Sequence, residues 1–273
     1  MANKVKEEPK KISVITPTFN SSYMLEKTLE SVLRQDYLNL EHIIADAGSS
    51  DNTVELLQKY KIKYRQVGKN LIWISEKDNG IYDGVNKASE MSTGDFLLHM
   101  EDIFAYDHAL TDMVEQLEKA NADYVFGGLI YQLNGKIIRK WSGKPGNWEL
   151  GFMMATPTLL YTRKVWEKHG PYSSDYVSEN GQDASDYDFQ IKLMKDKELK
   201  FISLPKPLVI YYAGGSSNNN FYYRWLCIKE CQKVLRNNHA RFPLFTNFCK
   251  TGIALFAYIT APRTIIELDE WMK

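Results

Sequence analysis

Apolar residues recur along this chain with two alternating periods. Residues 12–17 (Ile-Ser-Val-Ile-Thr-Pro) form a β-branched run closed by a proline, which suits a strand that stops where the backbone must turn. Leu25, Leu29, Val32 and Leu33 follow at helical spacing and predict a helix over 23–35. A second strand is predicted at 42–46, ending on Asp46, and Asn52 with Glu55 marks a capped helix start that runs through Tyr60. Short strands are expected over 63–67 and 71–75, then a turn at Asp78-Asn79-Gly80. A helix over 81–91 turns Ile81, Val85 and Ala88 inward. Residues 95–100 follow a turn signal with an apolar run too short for a helix, hence a buried strand. Strands alternating with helices predict an α/β fold with a doubly wound, mostly parallel sheet flanked by helices. The handedness of such crossovers puts the strand-to-helix loops on one edge.

The pattern changes later in the chain. Residues 110–119 are amphipathic, 122–133 and 136–141 predict a hairpin around Asn134-Gly135, and 205–212 a last strand. Beyond Asn218-Asn219-Asn220, Arg224, Lys229, Lys233, Arg236, Arg241 and Lys250 stand against the single acid Glu230, interleaved with Tyr222, Tyr223, Trp225, Phe242, Phe245 and Phe248. Residues 244–261 are apolar except for Thr, Asn and Lys250. Basic and aromatic residues beside an apolar stretch too short to span predict a helix lying in a membrane interface. Packing of a C-terminal helix on the rest of the chain, or on a partner subunit, accounts for the same composition equally well.

Composition narrows the class. A chain of 273 residues, 44% hydrophobic and 25% charged, can bury one large core with an appendage. A formal net charge of zero argues against a generic nucleic-acid binder. Cys227, Cys231 and Cys249 cannot all pair and lack a zinc-completing partner, so reduced thiols in a reducing compartment are expected. Residues 1–11 are charged and carry no signal-peptide core, and no apolar run reaches spanning length, so a cytoplasmic location is expected.

The candidate chemistry sits at strand ends. Thr16-Pro17-Thr18-Phe19-Asn20 follows the first strand, and Asp46 with Gly48-Ser49-Ser50-Asp51 follows the second. Glu101-Asp102 closes the strand over 95–100. Ligands of open α/β sheets bind outside the carboxyl ends of the strands. Adjacent carboxylates repel and cost several kcal/mol to desolvate without compensation. A hard divalent ion that also holds phosphate oxygens would compensate them, and a solvated loop is the plainer alternative. Hydroxyls, amides and one carboxylate suit a base and ribose. No Gly-x-Gly-x-x-Gly follows the first strand and no Gly-Lys-Ser/Thr occurs, so neither glycine-rich phosphate loop applies.

Four blocks in order resemble family 2 glycosyltransferases: Ser13-Val14-Ile15-Thr16-Pro17-Thr18-Phe19-Asn20, Asp46-Ala47-Gly48-Ser49-Ser50-Asp51-Asn52-Thr53, Ser75-Glu76-Lys77-Asp78-Asn79-Gly80-Ile81-Tyr82-Asp83-Gly84-Val85-Asn86-Lys87-Ala88, and Thr93-Gly94-Asp95 leading into Glu101-Asp102. The resemblance runs over about 12–217. It implies a GT-A fold, a nucleotide-sugar donor (UDP most commonly), a divalent metal, Mn2+ or Mg2+, and inversion at the anomeric carbon. It implies donor contacts from Thr16, Pro17, Thr18, Asn20, Asp46, Ser49, Asp78, Gly80, Asp83, Asn86, Lys87 and Glu101. Two aspartates usually form the acidic motif, and Glu101 takes the first place here. Asp102 is therefore the safer metal ligand, with Glu101 a ligand or a ribose contact. Ala155-Thr156-Pro157-Thr158 resembles a block that commonly reads His-Pro-Thr, with Thr156 in place of the histidine. Trp148 with Met153 and Met154 could line an acceptor groove, although aromatic and Met residues more often fill cores.

Inverting transfer needs a base for the acceptor hydroxyl, and Asp183-Ala184-Ser185-Asp186-Tyr187-Asp188 is the candidate stretch. On a helix starting near Ala184, Asp186 and Asp188 lie about 200° apart and cannot both face one cleft. The resemblance places the base at Asp186, leaving Asp188 as an exposed or capping acid and Asp183 as a third choice. The expected organisation is a charged tail (1–11), a catalytic unit (12–220, with nucleotide-binding half about 12–102 and acceptor half about 103–220) and a C-terminal basic, aromatic helical segment (221–273). The expected reaction joins a sugar to a hydroxyl of a glycan or lipid-linked acceptor for cell-surface polysaccharide or glycolipid synthesis. Membrane contact through 221–261 would place it peripherally at the inner membrane face, and homo-oligomerisation is compatible with the packing alternative. The competing readings are a nucleotidyltransferase or NAD-dependent oxidoreductase on a similar sheet, and a non-catalytic nucleotide-sugar- or glycan-binding relative.

Overall fold

The computed structural model describes residues 9–133, 136–141, 143–177, 184–212 and 221–260. Its strands are β1 (Ile12–Thr18), β2 (Leu40–Asp46), β3 (Asn70–Ser75), β4 (Phe96–His99), β5 (Ile103–Phe104), β6 (Tyr124–Leu133), β7 (Lys136–Trp141), β8 (Leu160–Thr162) and β9 (Phe201–Tyr212). The helices are α1 (Ser22–Arg34), α2 (Thr53–Gln66), α3 (Ile81–Met91), α4 (Ala109–Lys119), α5 (Arg163–His169), α6 (Ser185–Lys195), α7 (Phe221–Asn237) and α8 (Pro243–Thr260). They build one sheet in the order β3-β2-β1-β4-β8-β6-β9-β5, with β7 hung on β6. The first four of these strands are parallel, as the alternation predicts. Beyond β4 the sheet is mixed: β8 runs antiparallel to both neighbours, β6 and β9 are parallel, and β5 and β7 pair antiparallel.

The period-2 rule divides each central strand between two cores. Val14, Ile44 and Leu98 face the side covered by Leu25 and Leu29 of α1, Leu57 of α2 and Leu110 and Met113 of α4. Ile15, Ile43 and Leu97 face Val85 and Ala88 of α3, Val165 of α5 and Phe189 and Leu193 of α6. Both faces being covered explains why the strand burial is near continuous. A third core joins Tyr187 and Ile191 of α6 to Cys231, Val234 and Leu235 of α7.

Three expectations are corrected. The strand expected over 63–67 is the last turn of α2. Lys61, Lys63 and Arg65 alternating with Ile62 and Tyr64 imitate a strand, but Leu57, Tyr60 and Tyr64 are fully buried at helical spacing while Ile62 stays exposed. The start of α2 is not capped by Asn52, whose side chain makes no cap bond. Asp51 does this instead, accepting from the Thr53 amide at 3.1 Å and from the Ser22 amide at 3.0 Å, so one carboxylate ties the starts of α1 and α2. Ile81 is partly exposed rather than inward. The hairpin of β6 and β7 forms as expected, and its Asn134-Gly135 turn lies outside the described residues.

Under the loop edge runs a buried polar chain. Thr16 Oγ1 donates to the Met100 carbonyl and lies 2.9 Å from His42 Nε2. His42 Nδ1 lies 2.8 Å from the Tyr64 hydroxyl, which donates to the Leu29 carbonyl at 3.0 Å. Burial pushes His42 down to about 3, so the ring is neutral. Glu41, 1% exposed, staples the opposite edge: it accepts from Ser13 Oγ at 2.7 Å, from the Thr93 amide at 2.6 Å, and pairs with Lys11 at 2.6 Å. Those donors, Lys11 first, hold its carboxyl below the ordinary range against the opposing effect of burial. Its stabilisation is therefore full above the ordinary glutamate range and is lost as pH falls through the lowered value. Glu41→Ala strands three donors and should cost about 3–5 kcal/mol of stability by chemical denaturation; an unchanged midpoint would refute the staple.

Candidate active site

The carboxyl ends of β1, β2, β3 and β4 converge on one edge, and the expected residues gather there. β1 carries Thr16 and the buried Pro17 and ends at Thr18, and its next turn holds Asn20 at a φ of 46°. The loops after β1 and β2 are laced together: Asn20 Oδ1 accepts from the Ser50 amide at 2.9 Å, and the Asn20 amide donates to Ser49 Oγ at 2.8 Å. Asp46, at the end of β2, accepts from the Ser49 amide at 3.2 Å and from Ser75 Oγ at 2.6 Å, which fixes its carboxylate toward the edge.

The block after β3 forms the second wall. Asp78 accepts from the Gly80 amide at 3.0 Å, and burial, reinforced by the Asp83 and Asp46 charges, raises its carboxyl above the ordinary range. Gly84 permits that approach, since a Cβ there would stand 2.9 Å from Asp78 Oδ2. Gly80 opens α3 at a φ of 118°. Asp83 accepts from the Asn79 amide at 2.9 Å. Lys87 pairs with Glu76 at 2.9 Å and with Asp83 at 3.6 Å, bridging the loop to α3. Asn86 is turned elsewhere: its amide grips the Tyr172 backbone in both directions, each bond 2.9 Å.

Glu101 and Asp102 follow β4 directly. The Met100 amide bonds the Ile15 carbonyl at 2.9 Å and Thr28 Oγ1 donates to the Glu101 carbonyl at 2.8 Å, so the pair is fixed to β1 and α1. Protein crowds Glu101 while its carboxyl stays open to the cleft. Burial, then the charges of Asp102 and Asp186, push Glu101 up to about 8. Burial pushes Asp102 up to about 7, opposed by a hydrogen bond from the Tyr212 amide. Among the described residues no protein cation is bonded to either acid, so burial works against the charge of both. A divalent ion would relieve that charge, and two adjacent carboxylates fit an ion whose remaining ligands are phosphate oxygens and water. Among the described residues no group of three or more His, Cys, Asp or Glu side chains forms a closed metal cage.

Asp186 is the second residue of α6, where the helix amino end favours a negative charge, and its charge reaches Glu101. Burial raises its carboxyl above the ordinary range. Four groups oppose that rise: Thr156 Oγ1 donating at 3.0 Å, the Lys250 charge, the Tyr187 amide at 2.7 Å, and the Tyr82 hydroxyl. Thr156 in turn accepts from Gln190 Nε2 at 3.0 Å. Asp188, expected to be exposed or capping, is instead buried, taken up by Asn238 at 2.6 Å and Lys192 at 2.8 Å. It points into the α6–α7 seam because Phe189 and Leu193 occupy the sheet side. Asp183 lies outside the described residues, as do 213–217 of the glycine-serine block.

The sequence pattern of the family described as Glycosyl transferase family 2 matches residues 13–174. The chain belongs to that family. It is 33% identical over 147 residues to the Campylobacter jejuni GalNAc(5)-diNAcBac-PP-undecaprenol beta-1,3-glucosyltransferase, a match over 49% of this chain and 43% of that protein. It is 26% identical over 192 residues to a Mycobacterium bovis PGL/p-HBAD biosynthesis glycosyltransferase, covering 68% of this chain and 71% of the relative. Among solved structures, S. aureus TarS 1-349 superposes with a TM-score of 0.65 at 17% identity over 96% of this chain and 77% of that one. The mannosyltransferase PcManGT of Pyrobaculum calidifontis, in complex with GDP-Man and Mn2+, gives 0.61 at 16% identity over 97% and 79%. These likenesses establish the GT-A fold.

In this family 2 glycosyltransferase the strand-end motifs announced themselves, but Tyr82 and Lys250 did not. Tyr82 hid inside the Asp78–Lys87 block as an ordinary aromatic, and it also packs on Tyr172 at 4.6 Å between ring centroids. Lys250 carried a readable signal, the single cation in the apolar run of 244–261. It is bonded to Cys231 Sγ at 3.0 Å and lies over the Tyr187 ring. Trp148 and Met153 pack against the α6–α7 core, while Phe152 and Met154 line a cavity of about 390 Å³ with Phe126, Trp148 and Met194. Asn86→Ala should lower stability by about 1–3 kcal/mol, because it leaves both groups of the Tyr172 backbone unpaired; unchanged stability with weakened donor binding would reverse that reading.

Proposed function

We propose that this glycosyltransferase moves a sugar, with inversion, from a nucleotide-diphosphate donor to a hydroxyl of a lipid-linked saccharide. The observation that carries the reading is the Glu101-Asp102 pair directly after β4, at the edge shared with the loops that follow β1 and β2, with the Asp186 charge reaching Glu101. Thr16, Pro17, Thr18, Asn20, Asp46 and Ser49 form the nucleoside wall in this reading, and Asp78, Gly80, Asp83 and Lys87 the second wall. The TarS complex with UDP-GlcNAc, matched at a TM-score of 0.61 and 18% identity, supports a uridine donor. The naming of the Campylobacter relative for an undecaprenol-diphosphate saccharide supports the lipid-linked acceptor. Residues 12–220 are read as the catalytic unit.

Asp102 and Glu101 would hold Mn2+ or Mg2+ against the donor diphosphate, and the bound ion would neutralise charge on the departing phosphate. The chain's own part is the base. Asp186 accepts the proton of the acceptor hydroxyl as that oxygen bonds the anomeric carbon, while the bond to the diphosphate breaks on the opposite face. Thr156 holds one carboxylate oxygen and the Tyr187 amide the other, which aims the remaining lone pairs into the cleft.

Asp186→Asn should lower kcat about a hundredfold or more at nearly unchanged donor affinity, whereas Asp188→Asn should act mainly on stability. The reverse ranking would overturn the base assignment. The base works only when ionised, so activity falls as pH drops through its pKa. Thr156→Val removes a bond that holds that pKa down, and the acid limb of the kcat profile should move to higher pH; an unmoved limb would exclude Asp186 as the titrating group. Asp102→Asn should abolish Mn2+-dependent stabilisation by UDP in thermal unfolding while preserving the fold. Retained Mn2+-dependent stabilisation would place the metal elsewhere.

A further inference from the structure

Among the described residues, the helix that carries Lys250 leaves one side of its first turns exposed. On α8 and the turn before it, Phe242, Leu244, Phe245 and Phe248 are 60%, 73%, 55% and 75% exposed, while Thr246 and Asn247 between them are buried. Those two are tied inward, Thr246 Oγ1 to the Glu149 carbonyl at 2.7 Å and Asn247 Nδ2 to the Ile228 carbonyl at 2.8 Å. The inner face of α8 is therefore fixed to the protein by polar bonds, and its orientation is set. Trp225 and Ile228 of α7, also exposed, extend the apolar surface. Four large apolar side chains within seven residues form a patch of the kind that marks an interaction site.

The charge around the patch identifies its partner. The exposed charged side chains over 225–252 are Lys229, Lys233, Arg236 and Arg241, all basic, and the one acid, Glu230, is half-buried. Lys229 lies 3.6 Å from the Trp225 ring centroid and Arg241 5.3 Å from that of Phe242, so cations rim the aromatics directly. A protein partner would need a matching acidic apolar groove. A bilayer with anionic headgroups supplies apolar depth and negative charge in one plane, and aromatic residues settle at that boundary. No helix among the described residues is long and apolar enough to cross a membrane, so the chain would lie on the surface through this patch.

We infer that the outer side of α8, with Trp225 and Ile228, is a docking surface for an anionic lipid bilayer. Its position gives it a purpose. Lys250 lies on the same helix, two residues beyond Phe248, and its charge reaches Asp186. The bilayer is thereby held beside the acceptor end of the cleft, so that a lipid-linked hydroxyl meets the base without leaving its membrane. That last link rests on the reading of Asp186 as the base; the docking surface does not.

The test is sedimentation of the full chain with vesicles of phosphatidylcholine alone and with a third phosphatidylglycerol. Binding to the anionic vesicles, about tenfold or more weaker on the neutral ones and weakened by high salt, is expected. Leu244→Ser with Phe248→Ser should reduce partitioning about a hundredfold. Arg241→Gln with Lys229→Gln should reduce it about tenfold. Both variants should unfold at the temperature of the parent chain, which separates a lost surface from a lost fold. A wild-type chain that ignores anionic vesicles overturns the inference. So does a self-associated chain whose apolar variant becomes monomeric, which would make the patch a contact between two copies. Vesicle binding with an inactive site, or the converse, tells the failure of this inference from that of the transfer reading.

Discussion

Negative charge gathered at the end of a buried strand is the constraint on which the rest of this molecule depends. Glu101 and Asp102 end β4 side by side, and Asp186 adds a third carboxylate from across the cleft. Burial pushes both acids far above their ordinary range, and for Glu101 the charges of Asp102 and Asp186 add to it. The fold tolerates this because the backbone there is held elsewhere, by Ile15, Thr28 and Thr16. Acids without protein cations are a cost to the protein, and under the proposed function a divalent ion with a diphosphate would offset it.

Asp186 is managed differently. Burial is opposed by the Thr156 hydroxyl, then by the Lys250 charge, the Tyr187 amide and the Tyr82 hydroxyl. The result is a carboxylate raised by burial but checked on several sides, the condition a general base needs near neutral pH. Thr156 therefore has a clear role in place of the usual histidine: it orients the neighbouring acid. Lys250 gives the C-terminal helices a part in the site as well. Its ammonium also helps to lower the Cys231 thiol, for which the Cys227 hydrogen bond is the larger cause.

Much of this was legible in the residues. The parallel half of the sheet, α3 to its end residues, and the acid pair at a strand end follow from periodicity and turn chemistry alone. What escaped did so for physical reasons. The last turn of α2 alternates lysines with apolar residues and so imitates a strand until tertiary burial of Tyr60 and Tyr64 decides the matter. The antiparallel half rests on a three-residue strand, β8, and a two-residue strand, β5, too short to carry a period. Asp188 looked solvent-facing because its partner Asn238 lies 50 residues away, beyond any local pattern. Asn86 sits in a motif that points to the donor, yet its amide holds the loop at Tyr172.

The buried chain beneath the cleft has a consequence that hydrogen counting makes plain. Between the Leu29 and Met100 carbonyls run four contacts, through Tyr64, His42 and Thr16. Two hydroxyls and a neutral imidazole bring only three hydrogens to fill them. One contact is always short of a proton, and the shortage can sit at either carbonyl or at either ring nitrogen while the heavy atoms keep their places. The floor under Glu101 is therefore rigid in shape and variable in polarity. When the shortage sits at Met100, the carbonyl just before the acid pair loses its donor and presents its full dipole to the protein around it.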